Sequence, residues 1–79
     1  MNNTEKNDFL VALGKRVREL RQKEGLTLEE LAKKMGYTSE NARSSVQKIE
    51  AGKSDLPASK IAKLAEIFGV SASFLIGLE

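Results

Sequence analysis

Six side chains able to form hydrogen bonds stand close together in the middle of the chain: Asn41, Arg43, Ser44, Ser45, Gln47 and Lys48. All of them donate, and several also accept. A guanidinium donates two parallel bonds to guanine, a carboxamide bonds adenine through both of its polar atoms, and a hydroxyl adapts to either. Set on one exposed helix face, these residues suit the reading of base edges, where a merely solvated face would more often carry Glu–Lys pairs. Catalysis has little to work with. The chain holds no His and no Cys, so zinc sites of the Cys/His type and His-dependent triads are excluded. The carboxylates are scattered over solvated positions. Gly52-Lys53-Ser54 lacks the upstream glycine and the strand of a phosphate-binding loop. The chain is therefore expected not to be an enzyme and to take no cofactor, metal or small-molecule substrate.

The elements that must position this face are legible in the punctuation. Gly25, Gly36, Gly52 and Gly69 each follow a stretch of helical periodicity and mark helix ends. A first helix is expected from about Asp8 to Glu24, capped by Asn7 or Asp8, with Phe9, Leu10, Leu13, Val17 and Leu20 inward. Residues 1–7 are expected as a flexible N-terminal segment, leaving 8–79 as the domain. A second, short helix spans Leu28 to Met35. Thr27 with Glu30 forms a capping box, and Leu28, Leu31, Ala32 and Met35 form the inner stripe. The third helix ends near Ala51 and buries Val46 and Ile49. Its start is open: after Thr38 or Ser39, or one turn later near Asn41 and Ala42. A fourth helix follows from about Pro57 to Phe68, and Ser71 caps a fifth from Ala72 to about Ile76. No strand pattern is present. The expected fold is all-α, five helices in 79 residues, one domain.

Net charge is +2, which is uninformative; its distribution says more. Lys15, Arg16, Arg18, Arg21 and Lys23 cluster on the first helix, and Arg43, Lys48 and Lys53 on the third and just beyond. A solvated face explains each cluster as well as phosphate contact does.

Taken together, the stretches GLTLEELAKKMGY and SSVQKIEAGKSDLP, followed by SKIAKLAEIFGVSASFLIG, resemble the Cro/CI-like, or XRE-like, helix-turn-helix regulators of phage-repressor type over about residues 13–78. That resemblance implies a compact lambda-repressor-like fold, with the helix-turn-helix formed by helices two and three. It implies sequence-specific double-stranded DNA binding by a transcription regulator, by family habit a repressor of phage or prophage type. Matching positions put Arg43, Ser44, Gln47 and Lys48 at base edges. Ser45 falls at base or phosphate, and the backbone at Thr27 and Leu28 with Lys53 and Ser54 at phosphates; Arg16 is a weaker phosphate candidate. Arg21 and Glu50 match a structural ion pair joining helices one and three.

Two departures stand out. Leu28 occupies a position where the family usually has a phosphate-binding Gln. Gly36 and Gly52 are also four residues further apart than is usual in the family, so Thr38–Asn41 either lengthen the turn or extend the third helix. Either way, Glu40 and Asn41 fall near DNA. The family binds as two-fold dimers, and Leu75, Ile76 and Leu78 either close the core or form the homodimer patch. The alternative is a protein–protein interaction module, or an antitoxin-like partner, on the same fold. No apolar run is long enough for a membrane span and no signal peptide is read, so the chain is expected in the cytoplasm, bacterial or phage-encoded and held at the nucleoid through DNA.

Overall fold

Leu13, Val17, Leu31, Ala32, Val46, Ile49, Leu64, Phe68 and Leu75 are drawn from five helices and bury one another. The computed structural model that shows this describes residues 3–79, with side chains described from Lys6 onward. In chain order the helices are α1 (Asn3–Lys23), α2 (Leu28–Lys34), α3 (Ala42–Glu50), α4 (Ala58–Phe68) and α5 (Ala72–Leu75). Among the described residues there is no strand, and no helix is long and apolar enough to cross a membrane. The radius of gyration, 11.9 Å, is about that of a close-packed chain of this length. The expected all-α, five-helix architecture is what the chain adopts.

The first helix starts earlier than its polar sequence suggested. It is continuous from Asn3, so Asn7 and Asp8 are interior residues and not caps. Of the segment expected to be flexible, residues 1 and 2 lie outside the described residues, and 3–7 form the first turns of α1. No proline or glycine interrupts them. The Lys6 ammonium meets the Asp55 carboxylate at 2.7 Å, tying the start of α1 to the α3–α4 connection. Both partners are about half exposed, so the pair contributes less than about 1 kcal/mol. Leu10, Leu13 and Val17 are buried as expected, whereas Phe9, at the edge of their stripe, stays 37% exposed.

One residue that belongs to none of the motifs above sets the packing. Gly14 lies in the interior of α1, where glycine costs roughly 1 kcal/mol relative to alanine. A Cβ there would strike the backbone carbonyl oxygen of Ile49 and come within 2.6 Å of that of Glu50. The last turn of α3 therefore rests directly on the α1 backbone. Gly52, just past α3, makes a similar approach: its Cβ would come within 2.7 Å of Val11 Cα, and its φ of +74° closes the helix. The Gly52 and Lys53 amides donate to the Ile49 and Lys48 carbonyls, which is a Schellman ending.

Between α2 and α3 the chain turns twice. Gly36, with φ +91°, ends α2, and the Tyr37 amide returns to the Ala32 carbonyl at 3.0 Å. A second turn then runs from Ser39 to Ala42. The Ala42 amide donates to the Ser39 carbonyl at 3.1 Å, and the Ser39 hydroxyl accepts from the Asn41 amide at 3.3 Å. With Asn41 at φ −92°, ψ 8°, this is type I geometry. The third helix thus takes the later of its two possible starts, and the additional residues lengthen the turn. The Lys60 ammonium sits 4.2 Å from the centre of the Tyr37 ring, linking that turn to α4.

The capping box of α2 is present in both directions. The Thr27 amide donates to Glu30 Oε1 at 2.8 Å, and the Glu30 amide donates to Thr27 Oγ1 at 3.0 Å. The bond from the Thr27 amide, then that from its hydroxyl, holds the Glu30 carboxyl below the ordinary carboxylate value.

Two outcomes follow for stability. Gly14→Ala should gain helix propensity yet lower the unfolding free energy by about 1–3 kcal/mol in urea titrations, because the colliding atoms are backbone. Since the Glu30 pKa is depressed in the folded state, its contribution is present above the unfolded value and is lost as pH falls through the folded one. Glu30→Gln keeps the acceptor of the box without titrating, so its stability deficit relative to the native chain should shrink on acidification from neutral pH to about pH 3.

Candidate nucleic-acid interface

Helix α3 divides cleanly by face. Ala42, Val46 and Ile49, at i, i+4 and i+7, turn inward; Val46 and Ile49 are buried and Ala42 is half-buried against the core. Arg43, Ser44, Gln47 and Lys48 remain exposed on the opposite side. Ala32, fully buried on α2, has no side chain beyond Cβ and lets α2 lie close across α3. A shallow groove runs past Ser44, Gln47, Lys48 and Ala51 to Lys53, so Lys53 continues the exposed face beyond the helix end. Ser54 is half-buried next to it.

The remaining sequence-predicted residues fall in several places. Asn41 precedes the helix, is exposed, and makes no side-chain capping bond. Ser45 is half-buried, and its hydroxyl donates to the Asn41 carbonyl at 3.1 Å, so its donor is already used within the helix. Arg43 Nη1 lies 4.0 Å from Glu29 Oε2 of α2, with both side chains mostly exposed. At the start of α2 the Thr27 amide is occupied by Glu30, which leaves Leu28 as the member of the expected pair without a cap bond at its amide. Glu29 and Glu30 bring negative charge to that helix start, where an incoming anion would be favoured by the helix dipole but opposed by both carboxylates.

Arg16 lies on α1 with its guanidinium against Gly77, whose Cβ would come within 2.7 Å of Nη2. Glu19, Leu20, Lys23 and Phe74 surround it. Arg18, by contrast, borders a cleft with Arg21, Leu28, Gln47, Glu50 and Ala51. Two residues on a helix are about 200° apart, so only the direction from which α3 approaches distinguishes them. The lysine and arginine pattern of α1 contained Arg18 but held no signal that selected it.

The structure brings Arg21 and Glu50 together. Arg21 Nε donates to Glu50 Oε2 at 2.6 Å and Nη2 to Oε1 at 3.1 Å, a bidentate arrangement. Nη1 donates to the Leu26 carbonyl at 2.9 Å, so one guanidinium joins α1, the α1–α2 connection and α3. The side chains are 14% and 8% exposed. The hydrogen bond to Glu50 raises the Arg21 pKa above its ordinary value, against burial, which lowers it. Neither partner reaches the exposed face of α3; together they fix where that face points.

A family model described as Helix-turn-helix matches residues 17–75, which takes in all of α2, α3, α4 and α5. No curated protein and no solved structure matches the chain.

Removing one partner of the ion pair leaves the other nearly buried and uncompensated. Arg21→Ala or Glu50→Ala should each cost roughly 3–5 kcal/mol. A double-mutant cycle read by chemical denaturation should return a coupling well above the roughly 1 kcal/mol of an exposed pair.

Proposed function

The chain belongs to the helix-turn-helix family of XRE type, a family of DNA-binding transcription regulators, and from that premise we propose that it binds duplex DNA sequence-specifically, with α3 in the major groove. One observation carries this: the exposed polar face of α3, which a groove continues to Lys53, lies opposite the inward stripe of Ala42, Val46 and Ile49. Arg43, Ser44, Gln47 and Lys48 read base edges, and Asn41 does so from the start of the helix. Lys53 and Ser54 hold phosphates on one side of the groove. On the other side Arg18 takes the place first expected of Arg16, with the Leu28 amide beside it. Thr27 acts through its cap, and Ser45 is a lesser phosphate contact because its hydroxyl is engaged.

In this proposal the protein is a repressor of phage or prophage type that acts in the cytoplasm by occupying an operator. One module covers a half-site, and two copies sit on half-sites about 34 Å apart. The exposed Phe74 of α5 and Leu78 just beyond it, 41% and 75% accessible, support α5 and the residues that follow it as the dimer contact, while Leu75 closes the core. If the chain sediments as a monomer both free and on a half-site, the dimer proposal is wrong.

Selection of bound duplexes from a random pool, repeated at several salt concentrations, tests the DNA proposal. A palindromic motif is expected, and equal binding to every duplex would overturn it in favour of a protein-interaction module. Arg43→Ala should relax preference at one base position by roughly 1–3 kcal/mol. Lys53→Ala should weaken binding to all sequences alike and reduce the slope of log affinity against log salt by about one.

A further inference from the structure

Glu40 stands on the tip of the lengthened turn, in the second position of the type I geometry from Ser39 to Ala42. Both central residues of such a turn are close to helical, so the turn runs into α3 with little change of direction. Counting at 100° per residue, Glu40 falls in line with Ser44 and Gln47. It is exposed, and among the described residues no Lys or Arg lies within ion-pair distance of it. A carboxylate in this position faces the most negative surface a protein meets. Where DNA excludes water from it, such a carboxylate needs a donor, because a buried, unpaired charge is costly.

We propose that Glu40 is a specificity-determining residue that accepts a hydrogen bond from the exocyclic amine of a cytosine in the major groove. The inference rests on the DNA-binding proposal above. A carboxylate has only acceptors. Guanine presents two acceptors, thymine presents one together with a methyl group, and adenine sets its N7 acceptor beside its amine. Cytosine alone offers a donor without an acceptor on the same base, and so it is the base a carboxylate selects.

Selection from a random duplex pool with the native chain, Glu40→Gln and Glu40→Ala decides the matter, with circular dichroism checking that the exposed substitutions leave the fold intact. The native chain should prefer cytosine about tenfold at one position of each half-site, distinct from the position relaxed by Arg43→Ala. Glu40→Ala should flatten that position and no other. Glu40→Gln should transfer its preference to adenine, whose amine and N7 match a carboxamide. If Glu40→Ala keeps every base preference and simply binds all duplexes more tightly, the carboxylate only repels phosphate and the inference is overturned while the DNA proposal stands. If the native chain shows no preference among duplexes, both are overturned.

Discussion

The structure depends on one crossing, where the last turn of α3 rests on the backbone of α1. Gly14 gives the clearance, because the carbonyls of Ile49 and Glu50 occupy the space a Cβ would need. Arg21 and Glu50 then fix the rotation of one helix on the other through two hydrogen bonds. A contact between backbones tolerates less adjustment than one between long side chains, since only the latter can change rotamer. The direction of the outward face of α3 is therefore set at the end of the helix opposite to Arg43.

Helix termini were the most legible part of the sequence. Gly25, Gly36, Gly52 and Gly69 adopt positive φ after helical segments, and a left-handed residue there is a local requirement that one residue type meets at low cost. The Thr27–Glu30 box was legible for the same reason, being a bond between neighbours three apart. The start of α1 was not. Asn7 and Asp8 look like caps, but a cap residue inside a helix is only mildly unfavourable, and what continues the helix through them includes Lys6 reaching Asp55, 49 positions away.

The candidate site divides along the same line. The inward and outward faces of α3 followed from periodicity, and Arg43, Ser44, Gln47 and Lys48 lie where it placed them. Which of Arg16 and Arg18 lies beside Gln47 depends on the approach direction of α3, which no local pattern encodes. Gly14 carried a faint signal, a glycine inside an otherwise regular amphipathic helix, but its cause lies 35 residues away in the Ile49 carbonyl. The occupied Thr27 amide was implicit in the capping box, because a group bonded by its own helix is not open to an outside ligand.

The turn before α3 is longer than the family habit, yet it is not slack. Tyr37 is half-buried beneath Lys60, and Ser39 closes both a backbone and a side-chain bond over the next three residues. Association must immobilise whatever is loose in the free protein, at roughly 0.5–1.5 kcal/mol for each long side chain and more where backbone is involved. A segment already held in one conformation avoids most of that entropic penalty. Such an insertion can enlarge the contacting surface without a proportionate loss of affinity.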